Sequence, residues 1–355
     1  MNVAIFGAGI AGLMTAISLR ARGVECRIFE RHPHIHEAGM GFILVPEGID
    51  RLQSFGVCLT GVPLDRYCCR DAAGQIVHEE PMPTGAFAVR RPDLIAALLR
   101  ALPAAAVTFN SALDNLEFDE NGAVSAAVLS SGERIKADLY IGADGIRSKA
   151  RLALYPEWPA PQAQALEVVG LATSDRVMRW AGHNFNKFHS PSGGIALGML
   201  PMATGHILWF LQFDALRFPL DQEDAETEHS FVQRLVGDWG EPVADLLDTT
   251  DFSRVHVWRP VDTDLVPRFH QRNLVLVGDS AHPLLPFTSQ GVSSAIADAV
   301  ALADLITSEA GLDAALSRYT NDRRAQCVPY IAKGRELIQN FLEPQGVNSV
   351  ALPIA

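Results

Sequence analysis

The sequence predicts an α/β protein in which a nucleotide-binding unit is interleaved with a mixed β-sheet. Three observations carry this. The chain opens on a short apolar strand, "NVAIF", followed at once by Gly7-Ala8-Gly9-Ile10-Ala11-Gly12 and the helix-spaced run "LMTAISLRARG". Two further apolar runs far downstream, "ADLYIGADG" and "NLVLVGDSAH", also stop on glycine-aspartate corners. Between these runs lie strand-like stretches such as "HILWFLQFDA", where Ile207, Trp209, Leu211 and Phe213 alternate with His206, Leu208, Phe210 and Gln212.

The N-terminal unit is justified glycine by glycine. Gly7 permits a tight turn, Gly9 lets backbone approach a pyrophosphate, and Gly12 lets helix and strand pack closely. The helix beginning at Ile10 and Ala11 offers free N–H groups and a partial positive charge to phosphate. Gly23 closes that helix, and "ECRIFE" supplies a second strand ending at Glu30. A carboxylate there accepts hydrogen bonds from a ribose diol and repels a 2′-phosphate, which leaves FAD or NAD.

The later strand ends separate those two cofactors. Gly142-Ala143-Asp144-Gly145 is followed by Arg147 and Arg151. Gly278-Asp279 leads through a proline-containing loop into a helix with Val292, Ile296, Ala299, Leu302 and Leu305 on one face. A dehydrogenase using NAD needs neither segment, whereas FAD is long enough to need a second holding point. Asp279 is expected at a ribityl hydroxyl or beside the pyrophosphate. Gly291 and Val292 are expected to present N–H groups to the flavin N1–C2=O edge, which becomes anionic on reduction. His282 reads as a structural histidine.

Together these segments resemble the single-component FAD-dependent aromatic hydroxylases, the para-hydroxybenzoate hydroxylase-like flavoprotein monooxygenases. Gly7–Gly12 with Glu30-Arg31 match the first motif of that family, Ala143-Asp144-Gly145 with Arg147-Ser148 its "DG" motif, and Gly278-Asp279 with Ala281-His282-Pro283 its "GD" motif. "RRPDLIAALL" is similar to the family's Arg-x-x-Leu element, which implies Arg91 near the diphosphate or ribityl chain. "LSRYTNDRRAQC" resembles the usual C-terminal helix. Two positions depart from the pattern: Ser289 stands for a glycine in Pro286-Phe287-Thr288-Ser289-Gln290-Gly291, and Ser293 stands where asparagine is frequent.

The resemblance implies a Rossmann-type FAD-binding domain made of residues 1–60, 90–160 and 265–345. It implies a substrate-binding sheet domain made of 61–89 and 161–264, with 346–355 as a tail. It further implies hydroxylation of an aromatic or heteroaromatic small molecule through a flavin C4a-hydroperoxide, with NAD(P)H and O₂ as co-substrates. No residue is marked as a catalytic base by spacing; His183, His189 and His206 are candidates that read more readily as structural. The substrate pocket is expected among Phe185, Phe188, Trp209, Phe213 and Pro286. Two other readings are open: a FAD reductase, dehydrogenase or reductase-fed oxygenase acting on a lipophilic substrate, and a nucleotide-binding scaffold without turnover.

Composition narrows the partners. The 355 residues carry 29 basic against 41 acidic side chains, a formal charge of −12, which disfavours nucleic acid as a partner. The cysteines Cys26, Cys58, Cys68, Cys69 and Cys327 form no metal-binding spacing, and their odd number predicts free thiols. The immediate strand at the N-terminus leaves no room for a signal peptide, so a cytoplasmic monomer or homodimer without a bound metal is expected. The uncharged stretch between Lys187 and Asp214 is long enough to span a bilayer, but its prolines and glycines make it strand, turn and strand.

Overall fold

A strand as apolar as Val3–Phe6 needs neighbours on both edges and cover on both faces, and it has them. It runs parallel to Cys26–Phe29 on one side and to Leu139–Gly142 on the other. The computed structural model describes residues 1–35, 40–159, 163–203, 205–220, 227–261 and 263–344. The first sheet has the order His270–Gln271, Leu274–Leu276, Leu139–Gly142, Val3–Phe6, Cys26–Phe29, Val107–Thr108. Phe6 lies beside both Phe29 and Gly142, and Gly142 lies beside Leu276. The glycine-marked strand ends therefore open at one edge, the edge at which open α/β sheets bind ligands.

Helix Ile10–Arg20 covers this sheet with Leu13, Met14, Ala16 and Leu19, all buried. It packs on the helix Gly291–Ser308, which in turn packs on the long helix Leu312–Leu342. Gly291–Ser308 is long and apolar enough to cross a membrane. Here it lies between two other helices and carries a buried, ion-paired Asp298, the arrangement of a core helix.

The second large sheet is mixed and has the order His256–Trp258, Ala165–Ala172, His206–Asp214, Ile195–Met202, Asn184–His189, Arg66–Asp71, Ile76–Pro81. Its pairs are antiparallel except Asn184–His189 with Arg66–Asp71. The uncharged stretch before Asp214 is thus strand, turn and strand, as expected. A small three-stranded sheet of Gly41–Leu44, Phe87–Arg90 and Val62–Pro63 sits beneath it. All five cysteines are unpaired.

Period two gives the seven-stranded sheet two different faces. The outer face carries Leu197, Met199, Trp209, Leu211 and Phe213 against the helices Asp175–Ala181, Glu228–Val236 and Val243–Asp248. The inner face carries Phe185, Leu200, Leu208 and Phe210 toward the small sheet. This corrects three of the expected pocket residues. Phe188 stacks between Trp180 and Trp239, Phe213 meets Phe231 edge-on, and Trp209 donates Nε1–H to Thr250 Oγ1 at 2.9 Å. All three belong to the outer core. Alternation fixes that neighbours point to opposite sides, but not which side is the pocket.

Trp209→Ala is accordingly expected to lower stability by about 3–5 kcal/mol in urea unfolding while leaving ligand preference of the folded protein unchanged. A changed preference at unchanged stability would return Trp209 to the pocket.

Candidate cofactor and active site

The first strand ends on a turn whose glycines serve different needs. Gly7 has φ +109°, a conformation that excludes ordinary side chains, and its N–H donates to the Phe29 carbonyl at 2.8 Å. A Cβ on Gly7 would overlap the Ala143 carbonyl, and one on Gly12 would overlap the Gly7 carbonyl. Gly9 is different: its backbone is ordinary, with φ −75°, and a Cβ there would meet nothing within 4 Å. The protein's own packing requires Gly7 and Gly12, while the space beside Gly9 is left for something else.

Gly9 also caps helix Ile10–Arg20 without a side-chain hydrogen bond, so the first N–H groups at Ile10, Ala11 and Gly12 face that space. Glu30 is buried and braces the turn from behind. Its Oε2 accepts the Ala8 N–H at 2.7 Å and its Oε1 the His32 N–H at 3.0 Å, leaving lone pairs on both oxygens. Arg31 is exposed and bonds its own neighbour, His32 Nε2, at 3.1 Å.

Arg91 opens the helix Arg91–Arg100, and its side chain reaches toward Asp279. The Arg91 Nε is buried with no hydrogen-bond partner among the described residues. Burial lowers its pKa, and the Asp279 carboxylate opposes that shift. Burial among protein atoms pushes the Asp279 carboxyl up, against the pull of His282, Arg91 and Arg151. Nevertheless the Asp279 side chain is accessible and accepts no hydrogen bond among the described residues. A carboxylate surrounded by protein and yet open lines a cleft.

The corners flanking Asp279 are held by buried charge. Asp144, expected at the cofactor, commits its carboxylate to its own helix: Oδ1 accepts the Ser148 hydroxyl at 2.5 Å, and Oδ2 accepts the N–H groups of Lys149 and Ala150 at 2.7 and 3.2 Å. Asp144 thereby braces the start of Lys149–Leu154, whose N-cap is Ser148. Arg151 donates Nη1–H to the carbonyls of Asp279 and Ser280, both at 3.0 Å, and Nη2–H to Ile146. It ties the second glycine corner to the third.

Asp298 ties the third corner to the helices. Its Oδ2 accepts the Gly278 N–H at 2.7 Å and His282 Nε2 at 2.6 Å, and its Oδ1 accepts Arg323 Nε at 2.5 Å. Burial would raise its pKa, but His282 and Arg323 outweigh that and hold it down to about 2. His282 is therefore structural, as its sequence context indicated. Neither Asp298 nor Arg323 stood out in the sequence, because their partners come from other elements and leave no local pattern.

The last helix begins at Gly291 after Gln290, with no side-chain cap, and a Cβ on Gly291 would meet nothing within 4 Å. Ser289, the departure from the family glycine, has φ +53° and ψ +20°, so a serine here holds the left-handed turn that a glycine would adopt freely. Ser293 Oγ is buried without a partner, beside Gly48. Val292 stands half-buried at the helix tip. Pro286 opens the preceding turn, and Phe287 within it packs on Phe341 at 5.6 Å. Phe185 lies on the inner sheet face between Tyr67 and Phe210, at 5.2 and 6.2 Å.

Of the candidate histidines, His183 is exposed beside Asp65, and His206 is half-buried at a strand start. Burial holds His189 neutral, lowering its pKa to about 3. Glu167, Lys187 and Gln212 on the inner face were not anticipated from the sequence. The tail 346–355 lies outside the described residues.

With open space beside Gly9 and Gly291, a buried guanidinium nitrogen without a partner among the described residues and an open carboxylate along one edge of a parallel sheet, the site fits a long dinucleotide cofactor. The family described as "FAD binding domain" matches residues 1–329. The chain belongs to that FAD-binding family, and FAD is its cofactor. It is similar to 3-amino-4-hydroxybenzoate 2-monooxygenase of Streptomyces cremeus, 29% identical over 98% of this chain and 89% of that one. It is also similar to aurachin C monooxygenase/isomerase of Stigmatella aurantiaca, 27% identical over 94% of this chain and 87% of that protein. Among solved structures, Klebsiella pneumoniae HpxO complexed with FAD and uric acid superposes with a TM-score of 0.84, at 23% identity, over 95% of this chain and 87% of that one. The protein is a flavoprotein monooxygenase.

The two kinds of glycine predict opposite failures. Gly9→Val is expected to fold with a near-native unfolding curve and to purify without yellow colour, whereas Gly12→Val should lose folded protein altogether. Flavin absorbance per mole and circular dichroism decide it; a yellow Gly9→Val would remove the cofactor from that turn. Asp298→Ala leaves the His282 and Arg323 charges buried without their partner and is expected to cost about 3–5 kcal/mol. Because Asp298 titrates lower in the folded protein than its ordinary value of 3.8, its stabilisation is present above that value and is lost as pH falls through about 2. Acid unfolding of the wild type and of Asp298→Asn should therefore differ in that window.

Proposed function

We propose that the protein hydroxylates an aromatic or heteroaromatic small molecule, with NAD(P)H as reductant and O₂ as oxidant. The observation that carries this reading is the packing of the inner sheet face on the turn that leads from the third glycine corner to the helix tip at Gly291. Phe287, which lies in that turn, shares an apolar cluster with Ala196 of the inner face. A cofactor bound along the glycine-marked strand ends would present its ring beneath an apolar ceiling. When bound, FAD supplies the redox chemistry: hydride acceptance from the nicotinamide and activation of oxygen for transfer to the ring.

The chain's own residues supply position and charge. The turn at Gly9 and the N–H groups of Ile10, Ala11 and Gly12 receive the diphosphate, with Arg91 as its cation and the remaining lone pairs of Glu30 for the ribose. Asp279 accepts hydroxyl hydrogen bonds from the ribityl chain. The helix tip at Gly291 and Val292 stabilises negative charge on the flavin edge that accumulates it. Asp144 and Gly278 act through the backbone at their corners, and Arg31 stands beside Glu30 at the adenosine end. Phe185, Phe210, Leu200 and Leu208 exclude water from the ring to be hydroxylated. The division into cofactor segments 1–60, 90–160 and 265–345 and substrate segments 61–89 and 161–264 belongs to the same reading, as does a cytoplasmic location.

The deciding experiment supplies purified protein with NAD(P)H, ¹⁸O₂ and a panel of phenols, quinolones and benzoates. One labelled oxygen atom in the product and one NAD(P)H consumed per turnover support the reading; turnover that continues without oxygen ends it. Asp279→Ala is expected to lose most bound FAD, and Glu30→Ala to lose it less completely. Full occupancy in both variants removes their assigned contacts.

A further inference from the structure

The inner face of the seven-stranded sheet holds buried polar groups that the cofactor site does not use. In one lateral row, Glu167, Gln212, Ala196 and His189 stand side by side across four strands. In the next, Val169, Phe210, Gly198 and Lys187 do the same. On one side these rows meet the apolar cluster of Leu208, Leu200 and Phe185; on the other they meet Leu285, Phe287 and the end of the last helix. The polar groups therefore occupy a seam between two apolar patches.

Their hydrogen bonding is incomplete. Gln212 Nε2–H donates to Glu167 Oε1 at 2.7 Å, but Gln212 Oε1 and His189 Nε2 are buried without partners. Lys187 is only 5% exposed, and among the described residues its ammonium makes neither a hydrogen bond nor an ion pair. It stands 6.0 Å from the Phe210 ring centre and 5.5 Å from that of Phe287, the residue leading into the flavin-facing helix tip. A structural ion pair closes its charges into contact, whereas the Lys187 ammonium stands beside two aromatic rings.

The acids that act on Lys187 are Glu167 and the Cys69 thiol, and burial opposes the ionisation of both. Burial pushes the Cys69 thiol up to about 12 and holds His189 neutral, lowering it to about 3. Burial raises Glu167 to about 7, against the pull of Gln212 and Lys187. The turn and helix end packed opposite bring Leu285, Phe287, Leu337, Ile338 and Phe341 against this face. An ammonium buried this way is stabilised by an anion that arrives with a ligand.

We propose that Lys187 is the residue that selects the substrate: its ammonium binds an oxyanion carried on the aromatic ring, so the protein prefers ring acids or ionised phenols over neutral aromatics. This rests on the hydroxylase reading of the same site and names its substrate class. Gln212 and Glu167 position the pole, and the rings of Phe210 and Phe287 flank the cation. The oxyanion fixes which edge of the ring lies beneath the flavin, because a single charged anchor in an apolar chamber permits few orientations.

The test titrates the FAD-loaded protein with benzoate, 4-cyanophenol and benzamide, following flavin absorbance from about pH 6 to about pH 10. At least one anion is expected to bind about tenfold more tightly than benzamide, as a charge-assisted hydrogen bond allows. The arm that wins, benzoate or the phenolate, identifies the oxyanion. Lys187→Met should lose about tenfold or more in anion affinity and none for benzamide. Burial lowers the Lys187 pKa to about 8, so wild-type anion affinity should fall as pH rises through that value. Lys187→Arg should keep binding to higher pH; if Lys187→Met does not fold, that profile alone decides.

Equal binding of benzamide and the anions overturns the proposal, as does a wild-type protein indifferent to every probe, or an unchanged pH profile in Lys187→Arg. Oxygen transfer to neutral rings with unimpaired Lys187→Met would overturn the role of Lys187 and leave the hydroxylase reading intact. Anion binding that depends on Lys187, without oxygen transfer to any ring, would do the reverse.

Discussion

The arrangement of the cofactor site depends on one buried carboxylate. Asp298 lies on a helix apolar enough to pass for a membrane span, and an isolated charge in such a place is costly unless it is paired and hydrogen-bonded. It collects the Gly278 N–H, His282 and Arg323, three donors from the strand end, the following loop and the last long helix. The segment from Gly278 to Gly291 is thereby anchored at its start to a residue two helical turns beyond its end. Asp279 and the helix tip at Gly291 thus keep a fixed separation although the intervening loop is irregular. Arg151 fixes the same corner from the other side by gripping the carbonyls of Asp279 and Ser280. Rigidity behind the site leaves the side chains in front of it unpartnered and ready for a ligand.

Much of this scaffold is legible in the sequence where the physics is local. A turn with φ +109° at Gly7 and a helix packed against its own approach at Gly12 demand glycine whatever the rest of the chain does, so the first motif can be read without a partner in view. The same holds for the strand end at Gly278, where φ is +60°. Period two in the stretch before Asp214 gives the strands but not the sign of the faces. Trp209 and Phe213 are as large and apolar as a pocket wall, yet helices from residues 175–248 cover them. Choosing the face requires knowing where those helices return, a long-range fact.

Asp298 and Arg323 were illegible for a related reason. Each is a charge whose partner lies on another element, and a charged residue on a helix reads locally as a solvated one. Asp144 shows the converse. Its motif points to the cofactor, and its carboxylate also accepts the first N–H groups of the helix that follows, so two roles share the same local sequence. Ser289 shows tolerance: the left-handed turn persists with a serine, because the flanking turn and helix over-determine it at a cost of about 1–2 kcal/mol.

The charge of the whole chain bears on what can enter this site. At −12 the protein as a whole repels anions, yet FAD's diphosphate is anionic. Screening at physiological ionic strength damps that repulsion beyond roughly 8 Å, so what matters is the charge lining the cleft. There the order is cationic: Arg91 and the uncapped helix end at Ile10 face the diphosphate space, the tip at Gly291 faces the flavin, and Lys187 stands behind Phe287. In a low-dielectric cleft each of these acts more strongly than any surface charge. An acidic exterior combined with a basic interior track disfavours loose association with polyanions and still binds small anions that shed their water on entry. The glycines keep that track open, and the buried salt links keep its charges in register.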